Sequence, residues 1–404
     1  MNKKRSFYKE ILLFFYIAAA AMPVNAQTSI ASVSGLGPAS VPVQLKEAQD
    51  VRKYDDPFWP EFSSLENIGL SIATDYTLLT QQVNESLGEK SATGGVLRMF
   101  GNWKPNATDS NSYNQLVFKV EHRHRIGPDI APNELLVEAG VAGVSGPTFS
   151  DKKALLTNLY WAQHLYDNKL GYFAGVVDVS DYIDVYALVN VWTEFNNLAF
   201  STNPTIPVPS QGIGAAARWL FDSKVYVIAS IADANGDPHN PSNSIDSFFS
   251  TGEYFKHIEV GIIDNWDERM SRNAHITFWQ TDEREEAGTT KDWGVAASWS
   301  IQREQWQPFI RAGYADGGVA LQKKMISGGI GYTMNNSKDY AGVALSWGQS
   351  TDSNRDQYIT EGYYKWQGSK HILLVPSIQY IRNPAGNEDE NSIFLAGLKC
   401  RITF

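Results

Sequence analysis

From about Ile68 to its end the chain alternates. Leu70, Ile72, Thr74, Tyr76 and Leu78 stand against Ser71, Ala73, Asp75 and Thr77. Leu116, Phe118 and Val120 stand against Lys119, Glu121 and Arg123. Trp293, Val295, Ala297 and Trp299 interleave with Gly294, Ala296, Ser298 and Ser300, as Ala341, Val343, Leu345 and Trp347 do with Gly342, Ala344, Ser346 and Gly348. Successive side chains of a strand point to opposite faces, so these runs predict strands with one apolar and one polar or small face. Runs of about ten residues separated by Asn, Gly, Asp and Ser are what a transmembrane β-barrel needs, with lipid outside and water inside. Seventeen such runs can be marked, from Ile68–Thr80 through Ser392–Phe404. Single-chain bacterial barrels close on even numbers. The choice is therefore 16 or 18, and about 16 strands is the expectation. That many strands leave an aqueous channel, whereas eight are filled by their own side chains.

The last run shows the pattern best. Phe394, Ala396, Leu398, Cys400, Ile402 and Phe404 fall on one face, and Lys399, Arg401 and Thr403 on the other. A sandwich edge strand would alternate in the same way, so this run alone does not decide between sandwich and barrel. One segment breaks the rhythm. Ser180 to Ser210 holds Asp181, Asp184, Tyr186, Trp192, Glu194 and Phe195, then Asn203-Pro204 and Pro207-Val208-Pro209. An insertion of that length between strands is usually functional or disordered. In a barrel it is expected to fold inward and narrow the channel.

Upstream the pattern differs. Lys3, Lys4, Arg5 and Lys9 precede an apolar run from Ile11 to Met22, and Val24-Asn25-Ala26 supplies small residues at a cleavage position. This reads as a secretory signal peptide over residues 1–26, the run being short of the roughly 20 residues of a spanning helix. Residues 27–67 read as an N-terminal periplasmic segment with a short helix near Val43 to Lys53, and residues 68–404 as the barrel. No other stretch approaches a membrane helix, which leaves a soluble periplasmic protein or an outer-membrane barrel as the destinations.

Composition narrows the partners. The formal net charge is −10, and loss of four basic side chains and Glu10 with residues 1–26 takes it to −13. Nucleic acid prefers a basic face, so it is not an expected partner. The single cysteine, Cys400, forms no intramolecular disulfide and no cysteine metal cluster. The mean hydropathy of −0.30 is ordinary for a barrel, because half of each strand and all loops meet water. Aromatic residues make up 12% of the chain, with 12 Trp and 19 Tyr, which suits either interfacial girdles or a saccharide-stacking surface.

Pro376-Ser377-Ile378-Gln379-Tyr380-Ile381-Arg382-Asn383-Pro384-Ala385-Gly386-Asn387, followed by Leu395-Ala396-Gly397-Leu398 to Phe404, resembles the end of carbohydrate-selective porins, the OprB family. The Gln-Tyr-x-x-Asn-Pro-x-Gly turn is the specific part, and a closing strand ending in Phe resembles that of outer-membrane barrels in general. Trp161-Ala162-Gln163, Phe195-Asn196-Asn197-Leu198-Ala199-Phe200 and Asp233-Ala234-Asn235-Gly236-Asp237 are similar to the family as well. The resemblance spans residues 68 to 404 and implies a 16-stranded outer-membrane porin for glucose and related saccharides. The family often has Glu where Ala162 stands here. Family porins are trimers or monomers, so the resemblance leaves both open.

A neutral sugar has an apolar face and a rim of hydroxyls. A pore that favours it needs side chains that exchange hydrogen bonds and an aromatic surface for the ring. Paired arginine and carboxylate serve, since each satisfies the other when the sugar has left. Alternation puts Lys119, Glu121, Arg123 and Arg125 on the channel face of one strand, with Arg98 and Asn102 on the strand before. Arg218 and Arg311 are further basic positions, Asp178 precedes the insertion, and Trp161 and Gln163 are the stacking and bonding candidates. The acidity of the rest of the chain leads to an expectation of weak cation preference. Small sugars, outer-membrane lipid and lipopolysaccharide are the expected partners.

Catalysis has little support, there being no His-Glu-x-x-His, P-loop or Gly-x-Ser-x-Gly. His122 and His124 share a face but lack an evident third ligand, so no metal is expected. The Asp233–Asp237 run starts like a calcium loop but lacks its glycine and glutamate spacing and reads as a tight turn. No cofactor is called for. The alternatives to a sugar porin are a general diffusion porin, an outer-membrane enzyme and a soluble periplasmic sugar-binding β protein.

Overall fold

A computed structural model describes residues 40, 43, 44, 65, 68–105, 113–222, 224–334, 339–353 and 355–404. The leader and nearly all of the segment before residue 68 lie outside the described residues. Strands follow one another along the chain: β1 Leu70–Val83, β2 Ser91–Trp103, β3 Tyr113–Arg125, β4 Lys153–Leu165, β5 Leu170–Val177, β6 Gly212–Phe221, β7 Val225–Asp233 and β8 Tyr254–Ile263. Then come β9 Arg272–Thr281, β10 Asp292–Ile301, β11 Trp306–Ala315, β12 Gln322–Thr333, β13 Tyr340–Ser350, β14 Asp356–Gln367, β15 Ile372–Arg382 and β16 Ser392–Thr403. Each pairs antiparallel with its neighbours in sequence, and β1 pairs with β16, so the sheet closes as a barrel of sixteen strands. This is the expected architecture, with one fewer strand than the seventeen runs marked. Closure leaves no sheet edge, as a membrane demands.

Facing follows the alternation. Leu97, Met99, Ile258, Val260, Phe278, Ile326, Val343, Leu345, Ile378 and Leu398 are exposed on the outer wall. Asp75, Arg98, Glu121, Ser298, Ser346 and Lys399 are buried on the inner wall. Aromatic side chains stand outward near both ends. Trp293, Tyr358, Tyr380 and Phe394 mark one, and Trp103, Trp161, Tyr172, Trp219, Trp306 and Trp366 the other. Such girdles sit at the two membrane interfaces.

The ends of the barrel differ. The connections after β4, β6, β10 and β14 are short, whereas residues 126–152, 178–211 and 234–253 are long and belong to the opposite end. Short turns face the periplasm in outer-membrane barrels. The first long segment holds helix α1, Pro132–Glu138, begun by Pro132 and boxed by Glu134, whose carboxylate accepts from Ala131 N–H at 2.7 Å. The second holds a 3₁₀ turn, Val179–Asp181, and helix α2, Leu198–Ser201, and the third holds α3, Pro241–Ser250.

The core lies inside the barrel. Leu135 and Leu136 of α1, and Val185, Tyr186, Leu188, Val189, Phe195 and Phe200 of the insertion, pack on Phe309, Ala344, Ile359, Tyr363, Val375, Ile381, Ile393 and Leu395. Phe195 meets Tyr363, Phe200 and Phe309 at ring distances of 4.7, 5.1 and 6.1 Å. Burying a side chain of this size contributes about 1.5–3 kcal/mol. Tyr182, Ile183 and Ile206 of the insertion pack in a second cluster with Val117, Tyr160, Phe255 and Trp279, so the insertion is a packed element held on both sides of the wall.

Candidate functional site in the channel

Inner-wall charges alternate from strand to strand. Asp75 of β1 lies opposite Arg98 of β2, and Arg98 opposite Glu121 of β3. Neighbouring strands are about 4.8 Å apart, so register alone brings these charges into contact. Asp75 accepts from Arg98 Nε at 2.7 Å and from Arg401 Nε of β16 at 2.9 Å. This triad spans the seam that closes the barrel. On β3, Glu121 accepts from Arg123 Nε at 2.7 Å and lies 3.6 Å from Lys119 Nζ. Beside them β4 bulges at Thr157, since Lys119 faces Asn158 while Val120 faces Leu156. Bulges re-aim side chains next to functional sites.

The insertion faces this row. Its two ends are tied by Asp178, which accepts from Ser180 N–H at 3.0 Å and from Gln211 Nε2 at 2.7 Å. Two clamps hold it to the wall. In the first, Asp184, with φ of 49°, pairs with Arg311 at 2.5 Å and His275 at 2.9 Å, and its own N–H donates to Glu259 at 2.9 Å. Asp is one of the few residues that tolerate that backbone region. In the second, Glu361 accepts the N–H groups of Asn196 and Asn197 at 2.7 and 2.9 Å. The amides of those asparagines donate to Ser377 and Gln379, both at 2.9 Å, and Lys399 donates to the Val191 and Glu194 carbonyls at 2.7 and 3.1 Å.

Between β3 and the insertion lies a cavity of about 500 Å³. Lys119, Glu121, Arg123, Asp178 and Asp181 line its polar side, and Pro204, Ile206, Pro207, Val208, Pro209 and Trp192 its apolar side. Lys152 and Arg284 line it as well. Asp181, fixed by Asn158 at 3.2 Å, has its carboxyl pushed up to about 7, because burial outweighs the attraction of Lys119. The cavity thus opposes a charged, hydrogen-bonding row to an apolar shelf.

Residues 264–404 match the sequence profile of the carbohydrate-selective porin, OprB family. On that segment the chain is similar to the OprB family. The chain is similar to the high-pH structure of Pseudomonas putida OprB, with TM-score 0.66 and 13% identity over 85% of this chain and 96% of that one. The low-pH structure of the same protein gives 0.51 and 12%, over 85% and 95%. A mutant of the Rh. blastica porin gives 0.52 and 11%, over 83% and 100%. At such identities these likenesses show the fold. No curated protein matches in sequence.

Of the residues singled out in the sequence, Lys119, Glu121, Arg123 and Asp178 line the cavity. Trp161 and Gln163 do not. Trp161 lies opposite Leu116 and Ala174 on the outer wall, 37% exposed, and Gln163 shares its face. Period two makes this unavoidable, since Tyr160, Ala162 and His164 take the inner face. The aromatic residue at the cavity is Trp192 instead, with the Arg98 guanidinium 3.7 Å from its ring centre. Arg98 is covered by that ring and Arg311 by the insertion, so both act as buried ties and neither lines the cavity. Arg125 sits at the rim, paired with Asp129 at 3.0 Å and Asp151 at 3.6 Å. Arg218 lies near the short-turn end, donating to Asn168. Asn102 bonds Gln115 at 2.9 Å on the inner wall.

Asp75, Arg401, Glu361 and Lys399 were missed, because their partners are defined by register across the seam and by the insertion's path. The only signal was their place on the polar face of their runs. His122 and His124 face outward, with His124 bonded to the Tyr76 hydroxyl at 3.1 Å. Asp233 does close a turn, accepting from Asn235 N–H at 3.0 Å and from Ser244 and Ser247.

Proposed function

We propose that this outer-membrane porin passes glucose and related mono- and oligosaccharides into the periplasm by passive diffusion, after export directed by residues 1–26. The carrying observation is the cavity with its two unlike walls. The Lys119–Glu121–Arg123 row exchanges hydrogen bonds with hydroxyls, and the Pro204–Pro209 shelf meets the apolar face of a sugar ring. Its size falls within the roughly 300–1,000 Å³ of small-molecule sites. When the sugar leaves, Glu121 and its two cations satisfy one another, so the empty row carries little penalty.

Binding is weak by necessity, since a site that retains its solute stops conduction. Glucose or an oligosaccharide blocks ion current in planar bilayers at millimolar concentration, equivalent to about −4 kcal/mol. Arg123→Ala weakens that block and leaves the barrel folded. Liposome swelling with a panel of sugars and amino acids is the companion measurement. Wild-type channels without sugar block, passing charged solutes of similar size freely, would make this a general diffusion porin.

A further inference from the structure

Helix α3, in the third long segment, divides into three strips along its axis, because residues three and four apart share a face. Ser244, Ser247 and Phe248 form the first strip, Ile245 and Phe249 the second, and Ser242, Asn243, Asp246 and Ser250 the third. The first strip is the docked one. Ser244 is fully buried, and its hydroxyl accepts from Ile213 N–H of β6 at 2.8 Å and donates to Asp233 of β7 at 2.7 Å. Ser247 donates to Asp233 as well, at 2.9 Å. The helix therefore sits on the rim above β6 and β7.

The second strip overhangs the outer wall. Phe249 is 76% exposed, the highest value of any large apolar side chain among the described residues, and Ile245 is 45% exposed. Phe249 meets Phe248 edge to face, with ring centres 5.1 Å apart. Phe248 in turn meets Tyr254 at 5.0 Å, and the Tyr254 hydroxyl donates to the Phe248 carbonyl at 2.8 Å. Tyr254 heads β8 on its outer face, in step with the exposed Ile258 and Val260, whereas Phe255 and His257 are buried on the inner face. That contact sets the direction of the apolar strip, toward the lipid side and away from the channel. The wall beneath has room for it. At this end of the barrel Trp293, Tyr358, Tyr380 and Phe394 stand outward from other strands. β6 and β7 present Ile213, Ala215, Ala229 and Ile231 there instead, with no ring. Phe248 and Phe249 supply rings at that gap.

We infer that α3 is a lipid-contacting rim helix, which seats Ile245 and Phe249 in the outer-leaflet interface while Asp246 faces water. The short turns mark the periplasmic end, so the end that carries α3 is the outer one. A helix lying in such an interface buries its apolar face about 5–10 Å into the boundary between headgroups and acyl chains. Continuity with the lipid-facing wall, through Phe248 and Tyr254, assigns lipid as the occupant. The assignment rests on the barrel's standing in a membrane and on no particular solute.

The test is site-directed spin labelling of the whole protein in phosphatidylcholine vesicles. Cys400→Ser removes the single cysteine, and a nitroxide is then attached at Phe249→Cys, Ile245→Cys or Asp246→Cys, one per sample. All three positions are exposed, so each variant should keep heat-modifiable gel migration. The labels at positions 249 and 245 should be reached by oxygen and shielded from a water-soluble nickel chelate, at a depth of about 5–10 Å. The label at position 246 should be open to the chelate. Equal access of the chelate to all three labels overturns the inference. Spectral broadening at position 249 that dilution with unlabelled protein relieves would place a second copy of the chain on the helix, and overturns it too.

Discussion

A single position decides what each side chain of this wall meets. Leu345 is 57% exposed on the outer face of β13, while Ser346, one residue on, is buried on the inner face. An arginine on the lipid face near mid-bilayer costs about 2–4 kcal/mol. Leu345→Arg should cut the yield of assembled, heat-modifiable barrel, whereas Ser346→Arg should assemble and change conductance. Like behaviour of the two in gels and bilayers would refute the facing. The same alternation separates two tryptophans: Trp192→Ala should alter sugar block, and Trp161→Ala should leave it as it was. Asp181 supplies a pH dependence. Its carboxyl, pushed up to about 7 by burial, is neutral below that pH and charged above it. Raising pH from about 6 to 8 therefore adds negative charge to the cavity. Reversal potentials in a salt gradient should move toward cation preference over that range, and Asp181→Asn should flatten the change.

Among the elements, the insertion sets the bore, and its clamps are specific. Glu361 holds two backbone N–H groups at the start of α2, and Arg311 neutralises Asp184. Glu361→Gln retains one acceptor and loses the charge that holds both donors. Single-channel conductance should rise and become noisier, with the barrel still heat-modifiable. Arg311→Ala leaves a buried carboxylate with His275 and Asn203 only. Breaking a buried pair from one side costs about 3–5 kcal/mol, so this variant should be the more severe. An unchanged conductance in both would mean that apolar packing around Phe195 and Phe200 holds the insertion without them.

For the whole molecule, a closed barrel should migrate differently heated and unheated and show a β-type circular dichroism spectrum; a dominant helical signal would contradict it. Alternation by itself determined the wall, because an outer face against lipid and an inner face against water or packed chain impose period two on every strand. It therefore made legible which side of β13 and β16 meets lipid, and that Lys119, Glu121 and Arg123 share the channel face. The inward-folding segment was legible too, as a long break in that rhythm. Alternation also fixed Trp161 outside, although a likeness to sugar-porin motifs had made it a stacking candidate. Tertiary structure alone decided the rest. Charge partners such as Asp75 with Arg98 and Arg401 come from register and from closure of β1 on β16, which period two leaves free. The partners of Glu361 and Arg311 come from where the insertion touches the wall, more than a hundred residues away in sequence. Whether an inward side chain lines the cavity, as Arg123 does, or is sealed beneath a loop, as Arg98 and Arg311 are, depends on that contact, because residues equivalent in pattern differ only in what packs above them.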